Sequence, residues 1–314
     1  MATADASRRP GRLGVGVVGA GRVGAVLGAA LRSAGHAVVG VSAVSAASLE
    51  RAENLLPGVP VLEIPDIIER SELVLLAVPD DALPTLVEGL AQLGVWQAGQ
   101  LVVHTSGRYG TSVLAPARAA GAIPLAIHPA MTFTGLSLDL GRLPDTMFGI
   151  TAPAVVLPIA QALVVEMGAE PVVIEEESRA LYHAALAHAS NHLVTIAAQS
   201  AQLLADLGVQ HPDRMLGPLM KASLENALSS GEGALTGPVA RGDATTVSAH
   251  RAALEAHDAP DTRQAYLGMA RATALRALER GVLSPGQGAS ILAALADRPA
   301  PGSPDQRPDA RPPA

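Results

Sequence analysis

The chain has 314 residues, with 29 Asp and Glu against 22 Lys and Arg, a formal net charge of −7 and no cysteine. That balance argues against a nucleic-acid partner, which needs a clustered basic face, and an aromatic share of 2% leaves little for base stacking. Without cysteine there are no disulfides, no thiolate catalysis and no Cys-ligated metal, and no apolar run is long enough to span a bilayer.

The first dozen residues, with Arg8, Arg9 and Arg12, lack the apolar centre of a signal peptide. Residues 1–12 are expected to be disordered, and a soluble cytoplasmic protein without membrane partners is the expectation. From residue 13 an apolar run (Val15, Val17, Val18) predicts a buried parallel strand, and Val26, Leu27 and Leu31 carry helical spacing. Between them lies Gly19-Ala-Gly21-Arg22-Val23-Gly24, a G-x-G-x-x-G at a strand-to-helix turn. In such a turn the first glycine makes the bend, the second lets the backbone approach a pyrophosphate, and the third lets helix pack on strand. The helix N-terminus then faces the phosphates. A dinucleotide site is predicted there.

His36–Ser42 reads as the second strand. Its end, Ser42-Ala-Val-Ser45, has no carboxylate to hold a ribose 2′-hydroxyl. Small hydroxyls can instead donate to a 2′-phosphate, and Arg22 adds charge, so NADP is the expected cofactor. The alternative is that Ser42 and Ser45 only cap the next helix. Three further apolar runs end in polar stretches: Leu73–Val78 before Pro79, Leu101–Ser106 before Gly107, and Ala122–His128 before Pro129. In an open parallel sheet ligands bind beyond the carboxyl ends of the strands. Val78, Pro79, Thr105, Ser106 and His128 are therefore expected to wall one site. Phe148–Thr151 and Pro171–Ile174, around a helix near 154–167, complete an α/β, doubly wound Rossmann-type sheet over residues 13–174.

The composition then shifts. Residues 176–207 hold neither proline nor glycine and predict one long helix; further helical patterns cover 214–228, 245–256, 262–280 and 285–296. The expectation is an all-helical domain over 175–296, a homodimer formed through it, and a disordered tail over 297–314. The long helix carries Tyr182, His183, His188, Ser190, Asn191 and His192. His183 and Ser190 share a face, seven residues being close to two turns. His188 and His192 have metal-ligand spacing but no evident third ligand, so no metal is expected. An imidazole can give up a proton at physiological pH. Between later helices lies the polar cluster Leu235–Asp243: Thr236-Gly-Pro238 is a turn, Asp243 is placed to cap a helix beginning near Ala244, and Arg241 offers a planar fork suited to a carboxylate.

Together GAGRVG, VPDDAL, HTSG, IHPAMTF, YHAALAHASN and LTGPVARGD resemble a family of bacterial Rossmann-like proteins with a helical C-terminal domain of unassigned function. Its wider relatives look like pyrroline-5-carboxylate reductase, ketopantoate reductase and the beta-hydroxyacid dehydrogenases, with 6-phosphogluconate dehydrogenase-like C-terminal domains. The resemblance implies an NADP-dependent oxidoreductase acting on a small carboxylate, with 2-dehydropantoate, a step of pantothenate synthesis, as first candidate. An imine substrate and a non-catalytic NADP-binding regulator are the alternatives. One departure matters. The dehydrogenases of this type carry a lysine four residues before an asparagine; if Asn191 takes the asparagine's role of orienting the carbonyl, the lysine position is Ala187. His183 or His128 would then donate the proton, and Arg241 would hold the carboxylate.

Overall fold

The computed structural model describes residues 12–296. Apart from Arg12, the segments expected to be disordered lie outside the described residues. The order of elements is β1 (Gly14–Val18), α1 (Arg22–Ser33), β2 (Ala37–Ser42), α2 (Ala46–Leu55), α3 (Ile64–Glu69), β3 (Leu73–Leu76), α4 (Leu83–Gln92), β4 (Leu101–His104), α5 (Ala115–Ala119), β5 (Ile123–Pro129), β6 (Met147–Thr151), α6 (Leu157–Glu166), β7 (Glu170–Val173), then helices only. These are α7 (Arg179–Asp206), α8 (Pro212–Ser230), α9 (Ala244–Ala256), α10 (Pro260–Glu279) and α11 (Pro285–Ala294).

The seven strands form one sheet in the order β2-β1-β3-β4-β5-β6-β7. Its central strands β1, β3 and β4 are apolar up to the closing His104 because both faces are covered. Alternate side chains feed two separate cores. Val15, Val17, Leu73, Leu75 and Val103 point to one, with Leu27 and Leu31 of α1 and Leu163 of α6. Val18, Val74, Leu76 and Val102 point to the other, with Ile67, Leu83 and Val87. Parallel pairing holds from β2 to β5, which aligns the carboxyl ends of β1, β3, β4 and β5 along one edge.

One strand departs from a wholly parallel sheet. β6 runs antiparallel to β5, with His128 opposite Gly149. Between β5 and β6 only a 3₁₀ segment, Ser137–Asp145, takes up regular structure. With no α-helix to carry the chain back across a face, it returns beside the strand it has just left. α6 then supplies a crossover, and β7 is parallel to β6.

The chain divides into two compact units, residues 1–192 and 193–314. The sheet ends at Val173, yet the division falls within α7. The first half of this helix belongs to the first unit because its opening residue, Arg179, is buried in the sheet edge, as described below. The second unit has its own small core of Val247, Leu267, Ala274, Ile291 and Leu295. Asp243 caps α9 there, accepting from the Thr246 backbone N–H at 3.0 Å. No helix among the described residues is long and apolar enough to cross a membrane.

Candidate active site

The glycine turn follows directly from β1. Gly19 has φ +98°, a region open to glycine, and a Cβ there would lie 2.6 Å from the Ala77 carbonyl oxygen. A Cβ on Gly24 would collide with the Gly19 carbonyl oxygen and sit 2.8 Å from the Ala77 methyl. Gly21 is different. It is the N-cap of α1, no side chain caps the helix, and a Cβ there would meet only the Ala77 oxygen at 3.9 Å. The first turn also holds no acidic residue. The uncapped N–H groups, the helix dipole and the open face of Gly21 fit a pyrophosphate. Val23 packs on the core, Val78 packs beside Gly19, and the Pro79 carbonyl accepts the N–H groups that open α4.

The two serines after β2 are engaged within the protein. Ser42 Oγ accepts the Gly19 N–H at 2.8 Å, bracing the glycine turn. Ser45 is the N-cap of α2, its hydroxyl accepting from the Ser48 N–H at 3.1 Å. Ser45 thus takes the capping alternative, and Ser42 serves the turn.

At the ends of β4 and β5 stand two histidines with opposite situations. His104 is fully buried; its Nε2 bonds the Gly110 carbonyl at 2.8 Å and its Nδ1 accepts the Ser106 N–H at 3.2 Å. The two bonds fix it as a neutral ring donating from Nε2. Burial lowers its pKa to about 4. The polar HTSG stretch is therefore mostly a loop brace: Ser106 is buried, accepting the Tyr109 N–H at 3.4 Å, and the Thr105 N–H bonds the Leu76 carbonyl.

His128 faces the start of α7. Its Nδ1 lies 2.9 Å from the Tyr182 hydroxyl, and its ring meets that of His183 edge-on, with centroids 5.9 Å apart. Both imidazoles close over Gly107, where a Cβ would lie 2.6 Å from His183 Cδ2 and 2.9 Å from His128 Nε2. Only glycine leaves room there. What brings α7 to this place is Arg179, which is 1% exposed. Its guanidinium donates to Thr151 Oγ1 at 2.7 Å and to the carbonyls of Ala126 and Gly149 at 3.0 Å each, clamping the helix start to β5 and β6. One turn later Tyr182 and His183 lie over the strand ends.

Burial lowers the His128 pKa to about 4, helped by the His183 ring and the Arg179 charge. His128 is thus neutral at physiological pH, and of the two histidines expected as proton donor it is the one that burial strips of its extra proton. The low values have a consequence for stability. As pH falls below 6.5 the unfolded chain takes up protons that the folded imidazoles refuse. Stability is therefore expected to fall between about pH 6.5 and pH 4, by about 3 kcal/mol for His104 alone. Urea melts at pH 7 and pH 4.5 check this, and His104→Gln should flatten the drop; equal losses in both proteins would refute it.

The other expected residues lie elsewhere. Ser190, two turns beyond His183, approaches Thr132 at 3.4 Å, and its neighbour Asn191 is exposed. His188 and His192 bond each other at 2.8 Å on the exposed face, and no group of three metal-ligating side chains forms among the described residues. Arg241 is exposed in the second unit, on the turn before α9. Sequence reasoning missed Arg179, because a charged residue opening a helix looks like a surface residue, and gave Tyr182 no role of its own.

Comparison with known proteins gives two family matches, the second of which begins just before β6, inside the sheet. Residues 1–129 match the Rossmann-like domain and residues 146–273 match a domain of unknown function, DUF2520. No curated protein matches the sequence. Among solved structures, a proposed NADP oxidoreductase from Bacteroides fragilis superposes with a TM-score of 0.70 at 21% identity, covering 83% of this chain and 98% of its own. A reductive aminase from Aspergillus terreus, solved with NADPH4, cyclohexanone and allyl amine, gives 0.61 at 18%, covering 90% and 99%. An imine reductase from Pseudomonas sp. gives 0.60 at 19%, covering 91% and 100%. At these identities the likeness is one of fold. With its glycine turn, its strand-end histidines and both matches, the chain joins a Rossmann-like domain to a C-terminal DUF2520 domain.

Proposed function

We propose that this protein is an NADPH-dependent reductase of a small carbonyl compound, an oxo-acid, with 2-dehydropantoate the first substrate to test. The observation that carries the reading is the meeting of His183 and neutral His128 over Gly107, on the sheet edge that also ends in the open glycine turn. NADPH, when bound, supplies a hydride. Reduction of a carbonyl carbon also requires a proton at its oxygen, and we assign that proton to His183. His128, held by Tyr182, fixes the neighbouring wall, and burial keeps it uncharged.

A second reading is favoured by Ala187, which stands where a lysine donor would be expected. An iminium ion is already protonated and needs less acid help, and two of the similar folds belong to an imine reductase and a reductive aminase. Turnover of NADPH with 2-dehydropantoate and with pyrroline-5-carboxylate separates the two. Activity on the oxo-acid alone supports the first and activity on the imine alone the second. Tight NADPH binding with no turnover across both classes would make the protein a nucleotide-binding regulator.

We also propose a homodimer formed through the helical unit. α8 buries none of its side chains, and Leu219, Leu224 and Leu228 stand 62%, 47% and 80% exposed. Apolar surface of this kind on one helix marks an association face. Light scattering behind size exclusion should give twice the chain mass at micromolar concentration, and Leu224→Glu with Leu228→Glu should give the single mass. A wild-type monomer would end the proposal.

A further inference from the structure

Two glycines make room for a hydroxyl and two rings at the strand ends. A Cβ on Gly149 of β6 would lie 2.5 Å from the Tyr182 hydroxyl oxygen and 2.6 Å from its Cζ, so the phenol fits against β6 only because that residue is glycine. Gly107 does the same for the His128 and His183 rings. The Tyr182 oxygen lies 2.9 Å from His128 Nδ1, and that bond has two possible directions. Either the phenol donates to a bare Nδ1, or a protonated Nδ1 donates to the phenol. In a neutral ring the first case puts the proton on Nε2 and the second leaves Nε2 bare.

The surroundings of the hydroxyl choose between them. The Gly149 backbone N–H already donates to the Tyr182 oxygen. The nearby strand carbonyls of Ala126 and Gly149 accept from Arg179. Were Nδ1 protonated, the phenol oxygen would face two N–H donors while its own proton had no acceptor. Burial also raises the Tyr182 pKa, so the phenol keeps its proton at neutral pH. The phenol therefore donates to Nδ1, and the proton of the neutral imidazole sits on Nε2. That atom is on the Gly107 side of the ring, 2.9 Å from the point a Gly107 Cβ would occupy and next to His183. A fixed N–H in such a place stabilises an oxygen on which negative charge develops, and hydride addition to a carbonyl develops that charge.

We propose that Tyr182 locks His128 in the Nε2–H tautomer, and that this N–H holds the carbonyl oxygen of the substrate beside His183. The use of the N–H rests on the reductase reading; the tautomer does not. Long-range ¹H–¹⁵N spectra of the full chain with ¹⁵N-labelled histidine, at pH 7, read the tautomer directly, and His128→Asn identifies the signal by its loss. His128 should show a protonated Nε2 and a bare Nδ1, and Tyr182→Phe should bring up the Nδ1–H form. His104, fixed as Nε2–H by its own two bonds, should be unchanged in both variants and reports that the fold is kept. A wild type with Nδ1–H, or a Tyr182→Phe spectrum unaltered at His128, overturns the lock. For the second part, His128→Leu should lower kcat on 2-dehydropantoate by about 100-fold or more, and His128→Asn, whose amide keeps an N–H, by only about tenfold. Equal losses in the two variants refute the role of the N–H. A wild type that shows the Nε2–H form and reduces no oxo-acid overturns the reductase reading and leaves the lock standing.

Discussion

Gly24→Ala is expected to lower both stability and nucleotide affinity, whereas Gly21→Ala, three residues earlier, should lower affinity alone. At Gly24 the added methyl would collide with the Gly19 carbonyl and press on Ala77, so the β1–α1 turn must open to admit it. Overpacking of this kind costs about 1–3 kcal/mol. Opening the turn also moves the N–H groups of α1 away from their aim, so NADPH affinity should fall by about 100-fold or more. At Gly21 the methyl meets nothing nearer than 3.9 Å, and the backbone there (φ −71°) suits alanine. The fold should not register it. The methyl does occupy the space through which a pyrophosphate reaches the backbone, so affinity should fall while the melting temperature stays within about a degree. Thermal melts and NADPH titrations of the two variants decide the matter. If Gly21→Ala binds NADPH as the wild type does, the turn is structural and the nucleotide reading fails.

The sheet was legible because its code is local. Apolar runs closed by polar residues mark strands buried on both faces, and β1, β3, β4 and β5 lie where those runs lie. The reversal of β6 was not legible, because it depends on the 130–146 link lacking an α-helix, and 3₁₀ turns leave little periodic signal. Site residues divided the same way. Gly19, Gly21 and Gly24 follow from spacing. His104 and His128 look alike in sequence, each closing an apolar strand, and only tertiary contacts send one into its own loop and the other towards α7. Arg179 was hidden for a different reason. A charged side chain in a helix carries no mark of whether it faces water, a strand end or a neighbouring glycine. The serines after β2 show the converse: their hydroxyl chemistry was plain, and their partners, the Gly19 and Ser48 N–H groups, were not.

The largest catalytic effect is expected at His183. Among the residues around Gly107 it is the one ring whose nitrogens the strand-end bonds do not fix. His104 is tied at both nitrogens, and His128 is tied to Tyr182 and carries no extra proton at neutral pH. Positioned proton transfer contributes about 10²- to 10⁴-fold to a rate. His183→Ala should therefore lower kcat by about that factor on whichever oxo-acid is turned over, with the dissociation constant for NADPH within twofold, since the ring takes no part in the glycine turn. His128→Asn should cost less, about tenfold, because it removes a wall and not the donor. An iminium substrate should be far less sensitive to His183→Ala than a carbonyl substrate, since it brings its own proton. Single-turnover kinetics on both substrate classes measure that difference directly. Undiminished carbonyl reduction in His183→Ala would remove histidine as donor and leave Tyr182, already within reach of His128, as the next hydroxyl to replace.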